Sequence, residues 1–367
     1  MRIVRIEPIA VRLPMAKPVR MAGEEVRAAE NVLLRIESDD GTVGWGEAAS
    51  APTMTGETVA SMLAALRYLA PVIEERLPED IAGVARAMDR RLYGNRAAKA
   101  AVDIALHDLV GRVTNRPAHA LLGQQRRDRA VTLCVIGSGD DDADLREAAT
   151  RRAAGYIAYK IKVGVNPPDI DAARTASICD VLGSGLLVSA DANQGWTTED
   201  GVRYSRAVAH TALAFLEQPV AADDLDGMAR VAAASPIPVA ADEGIHSLDD
   251  IRRHHNRRAA AGVSLKAIKL GGMRRVLEAG ALCAELGMAV NVSCKTGESS
   301  IGSAAALHIA AAMPSLAWGL TTTNQALAED VTDHPLRVAD GHLAVSARPG
   351  LGVEVDEARV RHFQIHE

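Results

Sequence analysis

Eight short apolar runs recur between residues 131 and 320 at intervals of about 27 residues. Each interval is the length of one strand, one amphipathic helix and two short loops, so the pattern predicts repeated strand–helix units. Eight such units close into a parallel (β/α)₈ barrel, with the strands as an inner ring and the helices around them. The runs span residues 131–136, 158–163, 186–191, 213–217, 237–242, 263–266, 289–293 and 316–320.

An open, doubly wound sheet would also alternate strands and helices, but it fits this sequence less well. No glycine-rich dinucleotide fingerprint follows the first strand, and the phosphate loop GxxxxGK[ST] occurs nowhere in the chain. The expected fold class is therefore α/β, built on a closed barrel.

A different pattern precedes the barrel. Residues 1 to about 49 alternate apolar and polar positions around the turn Asp39-Asp40-Gly41, which predicts an antiparallel meander. From Thr58 onward the apolar residues return at helical spacing. These patterns divide the chain into three segments: an α+β unit of residues 1–125, the barrel of residues 126–325, and a segment of residues 326–367 that returns to the N-terminal unit.

Charge and composition exclude two classes of partner. The chain has 41 Lys and Arg against 47 Asp and Glu, a net charge of −6, and only ten aromatic residues among Phe, Tyr and Trp. Neither a polyanion-binding surface nor a stacking platform for bases is expected, so nucleic acid is not a predicted partner.

No apolar run approaches the roughly 18 residues that cross a bilayer, and the N-terminus lacks the apolar core of a signal peptide. We expect a cytoplasmic protein without a membrane partner. Its four cysteines form no CxxC pair and are expected to be buried, reduced thiols.

Ionisable residues stand at the ends of consecutive apolar runs. Lysines end the second and sixth runs, and carboxylates end the third, fourth and fifth: Lys160, Lys162, Asp191, Glu217, Asp242 and Lys266. From Lys162 onward the spacings are 29, 26, 25 and 24 residues, one strand–helix unit each. Catalytic groups of a parallel barrel lie at the carboxyl ends of its strands. The six side chains are therefore expected to converge on one mouth.

The three carboxylates form a hard, all-oxygen set that suits Mg²⁺, with Mn²⁺ as an alternative ion. A single Asp at a strand-to-helix junction is more often a helix cap. Three carboxylates on successive strands repel one another unless a cation lies between them. We therefore predict that Asp191, Glu217 and Asp242 are metal ligands.

The lysines predict acid–base chemistry. Lys160 and Lys162 are two residues apart in a strand, so both side chains point to the same face, into the barrel. Lys266 is four strands further round and is expected to face them across the substrate. A second ammonium and a divalent cation lower the pKa of a lysine, which allows it to act as a base. The predicted reaction removes the proton α to a substrate carboxylate, and the metal holds the charge of the resulting enediolate.

With these residues, the chain resembles the enolase superfamily, specifically its muconate-lactonizing-enzyme-like subgroup, over nearly its whole length. Five segments carry the resemblance: Tyr159-Lys-Ile-Lys-Val-Gly164, Asp191-Ala-Asn-Gln-Gly-Trp196, Glu217-Gln-Pro219, Asp242-Glu243 and Leu265-Lys-Ala-Ile-Lys-Leu-Gly-Gly272. The resemblance implies a (β/α)₇β-type modified TIM barrel with an N-terminal capping domain, and a homo-oligomer, commonly a dimer or an octamer. It places the sixth-strand catalytic lysine at Lys266 rather than Lys269. It also implies that two capping loops close the mouth, Pro14–Glu24 and Ser50–Glu57.

The substrate is a small carboxylic acid, and the subgroup offers several. Its members catalyse cycloisomerisation of muconates, dehydration to o-succinylbenzoate, racemisation of N-acyl amino acids, epimerisation of dipeptides, and dehydration or epimerisation of proline derivatives. Leu320-Thr-Thr-Thr323 lacks the Asp-x-Asp with which dipeptide epimerases hold an ammonium group. Lys17 and Arg20 in the first loop could meet a second carboxylate, which favours a dianion such as a muconate.

We therefore expect a muconate cycloisomerase-like enzyme. The alternative is a racemase, epimerase or dehydratase of an amino-acid derivative, and a more distant one is a catalytically silent barrel that binds small acids. A mandelate-racemase-type enzyme is disfavoured, because its seventh-strand histidine has no counterpart in Ala289-Val-Asn-Val-Ser-Cys294. The candidate substrate contacts are Asn193, Met21, Met54, Cys294 and Thr321.

Overall fold

A three-stranded antiparallel sheet, ordered β1-β2-β3, precedes the barrel. In the computed structural model, which describes residues 1–74 and 76–365, its strands are β1 (Ile3–Met21), β2 (Glu24–Ser38) and β3 (Val43–Ala49). The segment Pro14–Glu24, expected to be a loop, is instead the end of β1 and its turn into β2. Val19 pairs with Val26 and Met21 with Glu24. The register of the two strands shifts between Pro14 and Val19, after which pairing resumes with Val19 and Met21 buried and continues to the tip.

Three helices pack beside this sheet: α1 (Val59–Glu74), α2 (Ile81–Arg91) and α3 (Arg96–Val113). Helix α1 buries the apolar face that its spacing predicts, including Met62, Leu66 and Leu69. Helix α3 lies directly against β3. The approach is so close that a Cβ at Gly46 would stand 1.9 Å from the carbonyl oxygen of Ala101. Only glycine permits this approach.

The short helix α4 (His119–Leu122) and strand β4 (Arg129–Val131) lead into the barrel. Its eight parallel strands follow chain order around the sheet, which confirms the predicted fold class. A bridge between Thr132 and Leu320 joins the first strand region to the last. The strands are β5 (Cys134–Ile136), β6 (Ala158–Lys162), β7 (Leu187–Asp191), β8 (Leu213–Glu217), β9 (Val239–Ala241), β10 (Gly262–Leu265), β11 (Ala289–Ser293) and β12 (Leu320–Thr321). The helices are α5 (Asp141–Ala153), α6 (Pro168–Leu182), α7 (Thr198–Ala207), α8 (Leu225–Ala234), α9 (Leu248–Asn256), α10 (Ala267–Leu270), α11 (Met273–Glu285) and α12 (Ser300–Ala312).

The last segment contains a 3₁₀ turn (Asn324–Ala326), strand β13 (His342–Ala344) and helix α13 (Glu357–Phe363). It contacts the N-terminal sheet at two bridges, between Met15 and Leu327 and between Val11 and Gln364. The barrel and the N-terminal sheet are thus connected by the end of the chain as well as by α3 and α4.

Two of the predicted strands differ from the structure. The first run divides in two, because β4 pairs antiparallel with β13 and only β5 joins the barrel. In the last run only Leu320 is in a strand, since Gly319 turns the chain with a φ of 68°. Trp318 before it stacks on Phe215, with ring centroids 4.2 Å apart.

All four cysteines are buried and free, as the sequence predicts. Within the described residues, no helix is both long and apolar enough to cross a membrane.

Candidate active site

Six ionisable side chains lie at the carboxyl ends of neighbouring barrel strands. Lys162 on β6 is in direct register with Asp191 on β7, which is in register with Glu217 on β8. Asp242 and Lys266 directly follow β9 and β10. All are at least nine-tenths buried. Parallel strands bring their carboxyl ends into one layer, so residues one strand–helix unit apart in sequence become neighbours.

Each of the three carboxylates contacts a lysine. Lys160 Nζ donates to Glu217 Oε2 at 2.6 Å, and Lys162 Nζ donates to Asp191 Oδ2 at 2.7 Å. Lys266 Nζ donates to Asp242 Oδ2. The mouth is therefore a set of alternating opposite charges in which buried carboxylates and ammonium groups compensate one another.

This pairing determines the protonation of the lysines. Burial lowers the pKa of Lys160, but attraction to Glu217 and Asp191 outweighs it and the pKa lies above its usual value. The pKa of Lys266 is raised in the same way, chiefly by Asp242. In the protein alone the facing carboxylates outnumber the cations near each of these two lysines, so the pKa is raised; the expected lowering was for a lysine beside a divalent cation and stays a prediction.

The carboxylates have the donor chemistry that a hard divalent cation requires. Among residues 1–74 and 76–365, no three His, Cys, Asp or Glu side chains are grouped closely enough to hold a metal ion. Each of the three carboxylates is paired with a lysine instead. Two buried carboxylate oxygens have no hydrogen-bond partner, Oε1 of Glu217 and Oε2 of Glu243. Burial, followed by repulsion from Asp242, raises the pKa of Glu243 to about 7. Carboxylate oxygens without a hydrogen-bond partner, next to further carboxylates, are suitable ligands for a hard divalent cation.

A cavity of about 60 Å³ opens above this layer. Its walls include all three predicted catalytic lysines, Asp191, and the five candidate substrate contacts: Lys160, Lys162, Lys266, Met21, Met54, Asn193, Cys294 and Thr321. Glu217 and Asp242 lie beneath it, with no exposed surface. Met21 reaches the cavity from the tip of β1 and Met54 from the segment between β3 and α1. Both predicted capping segments thus contribute to the cavity wall.

Several residues of the site were not found from the sequence. Lys269, fully buried, donates to Asp242 Oδ1 at 2.6 Å and to the carbonyl oxygen of Ser264 at 2.9 Å. The sequence does place Lys269 three residues after Lys266, about one helical turn further along, and this spacing could have indicated that the two lysines share a site. Glu24 and Lys295 also line the cavity, and no pattern in the sequence distinguishes them.

The two lid cations expected to face the substrate do not line this cavity. Lys17 pairs with Glu147 on α5, and Arg20 lies 3.5 Å from Glu25 on its own hairpin. Arg20 lies between the buried Val19 and Met21 in a paired part of β1, so its side chain points away from the mouth. Lys17 lies in the stretch between Pro14 and Val19 where the register of β1 and β2 shifts, and its exposed side chain turns to α5. The expected contact with a second carboxylate is therefore not supported for Arg20, whereas Lys17 lines a larger cavity beside this one while paired with Glu147.

A buried charge cluster supports the strand that carries the first two lysines. Arg174 on α6 donates to the backbone carbonyl of Lys162 and, at 2.5 Å, to Asp144 on α5. Asp171 accepts a 2.7 Å hydrogen bond from the backbone nitrogen of Gly164. These bonds hold the end of β6 in place through its main chain.

A parallel barrel with carboxylates and lysines at its strand ends, capped by an antiparallel sheet, defines the class of enolase-superfamily enzymes. The sequence matches the enolase C-terminal domain-like family over residues 144–359. It also matches the N-terminal domain of the mandelate racemase / muconate lactonizing enzyme family over residues 4–123. The chain belongs to the mandelate racemase / muconate lactonizing enzyme family, and its predicted resemblance is confirmed.

Similar proteins are isomerases that match along their whole length. The chain is 29% identical to the N-succinyl-L-Arg/Lys racemase of Bacillus cereus, over all of this chain and 99% of that one. It is 30% identical to muconate cycloisomerase 1 of Rhodococcus opacus, over 98% and 97% of the two chains. A solved structure of muconate lactonizing enzyme from Pseudomonas fluorescens, complexed with muconolactone, superposes with a TM-score of 0.95 at 30% identity, over 99% of both chains. The protein is an enzyme of this superfamily, so the silent-barrel alternative is set aside.

Proposed function

We propose that the enzyme removes the proton α to the carboxylate of a small organic acid, with Lys162 and Lys266 as the acid–base pair. One observation carries this proposal: two ammonium groups, from strand ends four strands apart, line one cavity above a layer of carboxylates. Strands four apart in an eight-stranded barrel face each other across it. An acid between them would meet one lysine on each face of its α-carbon.

Asp191, Glu217 and Asp242 would hold Mg²⁺, or Mn²⁺ in its place. When bound, such an ion neutralises the negative charge that develops on the substrate carboxylate as the α-proton leaves. Lys160 stands beside Glu217 and adds a fixed positive charge to the same layer. Lys162 and Lys266 are positioned to accept the proton on one face and to return one on the other, and burial excludes water from both.

The proposed reaction is cycloisomerisation of a muconate-like acid, supported by the full-length similarity to muconate cycloisomerase 1. In the lactone-forming direction one carboxylate of the diacid adds to the C=C bond conjugated with the other carboxylate, and a lysine delivers a proton to the carbon α to that second carboxylate; removal of this α-proton is the reverse, lactone-opening direction. Racemisation of an N-acyl amino acid is the second candidate. It is supported by the similarity to the N-succinyl-L-Arg/Lys racemase and by lysines on both sides of the cavity, which inversion at one carbon requires.

We further propose the division into a capping unit (1–125), a barrel (126–325) and a returning segment (326–367). We also propose that the protein forms a homo-oligomer and is located in the cytoplasm. A small-molecule carboxylate is the proposed partner, and nucleic acid is not one.

The experiment is incubation with Mg²⁺ in D₂O with muconates, N-acylated amino acids, dipeptides and proline derivatives, in separate pools. NMR and mass spectrometry detect deuterium at the α-carbon or a new product. Conversion or exchange in one pool that disappears in Lys162→Ala or in Lys266→Ala supports the proposal. Exchange that survives both substitutions contradicts the assignment of the two lysines. Arg230→Ala is the control, because this exposed cation lines neither this cavity nor the larger one beside it.

A further inference from the structure

A fourth ammonium group lines the cavity, and the proposed proton transfer does not use it. Lys295 follows the end of β11, and its side chain is 7% exposed. It lines the same cavity as Lys162 and Lys266, and their positive charges reach it. A buried cation among cations is costly unless an anion compensates it.

The only ion pair of Lys295 within residues 1–74 and 76–365 is a weak one. Glu24, at the tip of the β1–β2 hairpin, places Oε1 3.6 Å from Lys295 Nζ, which is longer than a hydrogen bond. The neighbouring Glu298 accepts a bond from the backbone nitrogen of Lys295 at 2.9 Å rather than from its ammonium group. Lys160 and Lys162, by contrast, hold their carboxylates at 2.6 and 2.7 Å. Lys295 is thus the cation of this cavity that remains available to an incoming anion.

The size of the cavity indicates which end of a substrate reaches Lys295. About 60 Å³ is less than half of the ~150 Å³ that admits benzene in an engineered protein cavity. A second cavity of about 550 Å³ adjoins it and shares Val135, Thr296 and Thr323 as walls. Thr296 is the residue next to Lys295. The wall that the two cavities share thus lies beside Lys295, so an acid too long for the smaller cavity is expected to place its remote end near Lys295.

We propose that Lys295 binds a second carboxylate at the remote end of the substrate, in place of Glu24, so that the enzyme acts on dicarboxylates. This inference rests on the proposed function, because the first carboxylate is the one beside the reacting α-carbon. It selects muconates and N-succinyl amino acids from the candidate acids. It disfavours dipeptides, whose ammonium group Lys295 would repel, and acids with an uncharged remote end.

The test compares binding of two diacids with that of the same molecules carrying a primary amide in place of the remote carboxylate. Adipate is paired with adipamate, and N-succinylglycine with N-succinamoylglycine. Each pair has nearly one shape and differs in one charge. Titration calorimetry with Mg²⁺ gives the dissociation constants for the whole protein. In the wild type, we expect at least one diacid to bind about 10- to 100-fold more tightly than its amide, because the neutral amide oxygen can accept a hydrogen bond from Lys295 but forms no ion pair with it.

In Lys295→Met this ratio should fall to near one, and in Lys295→Arg part of it should return. Arg230→Met should keep the wild-type ratio, since Arg230 is an exposed cation paired with Glu199 and lines neither cavity. Thermal unfolding establishes that each variant is folded, and Lys295→Gln serves if the Met variant is not. A wild type that does not distinguish acid from amide, or a Lys295→Met variant that still does, overturns the proposal. These probes need no turnover. If the wild type shows the ratio and Lys295→Met abolishes it, but no pool shows α-proton exchange, the proposed function alone is contradicted.

Discussion

Lys160 and Glu217 lie two strands apart in the barrel, and their side chains meet across β7 with Nζ 2.6 Å from Oε2. Both are fully or almost fully buried. The other oxygen of Glu217 has no partner. Lys160 is thus the only ion-pair partner of Glu217 within the described parts of the chain. The negative charge of this buried carboxylate is therefore compensated by a single contact.

Replacing Lys160 by Met should therefore destabilise the protein in the absence of divalent ions. Removal of one member of a buried ion pair costs about 3–5 kcal/mol, because the remaining charge is left without compensation. Urea unfolding in EDTA measures the loss. The double variant Lys160→Met/Glu217→Gln removes the stranded charge as well and should be more stable than the single variant. Equal stability of the two would show that Glu217 needs no compensating charge.

Mg²⁺ should stabilise the folded protein. An ion that binds only the folded state adds about 2.7 kcal/mol at a free concentration 100 times its dissociation constant. Asp191→Asn and Asp242→Asn should reduce this gain, whereas Asp142→Asn, at an exposed position on α5, should keep it. Thermal unfolding with and without Mg²⁺ measures the difference. No Mg²⁺-dependent shift in the wild type would falsify the proposed metal ligands.

Arg174→Met should weaken both stability and catalysis. The guanidinium is buried with Asp144 and Asp171, and it holds the main chain of Lys162. Two buried carboxylates lose their cation, so we expect a loss of about 3–5 kcal/mol in urea unfolding. Displacement of the strand end should also lower kcat more than it raises KM.

Arg203→Met is the matched control for Arg174→Met. Arg203 pairs with Asp169, but both side chains are more than half exposed. Exposed ion pairs contribute at most about 1 kcal/mol. A loss for Arg203→Met equal to that for Arg174→Met would contradict the role given to burial.

His308 should make stability depend on pH below neutrality. Burial lowers the pKa of this histidine to about 4, and its ring nitrogens contact the carbonyl oxygen of Leu351 and the backbone nitrogen of His119. Between pH 6.5 and about 4 the unfolded chain binds a proton here that the folded chain does not. The free energy of unfolding therefore falls as pH falls through this window, by up to about 3 kcal/mol from this group.

His308→Gln removes the titration while offering an amide N–H to Leu351. Urea unfolding of wild type and variant at several values between pH 7 and pH 4 should give a smaller pH dependence for the variant. The same dependence in both proteins would mean that His308 does not hold its low pKa.

The barrel was predictable because its signal is local and repeated. Apolar runs recurring at one interval define the strands, and the ionisable residue that ends each run follows from the chain order around the barrel. The strand ends at Asp191 and Glu217 agree with the structure to the residue. Strand boundaries failed at β4 and β12, where pairing with β13 and the turn at Gly319 replace the run that apolarity predicts.

The sequence by itself thus determined the fold class, the family and the layer of charges at the mouth. Only the tertiary structure decided which charges compensate one another. It turned the first predicted loop into a hairpin, placed Lys17 and Arg20 outside the cavity, and brought Lys269 onto Asp242 and Lys295 next to Glu24. The physical reason is that strand periodicity is a short-range property of the chain. The partner of a buried charge depends instead on how distant segments pack, and no local pattern encodes that.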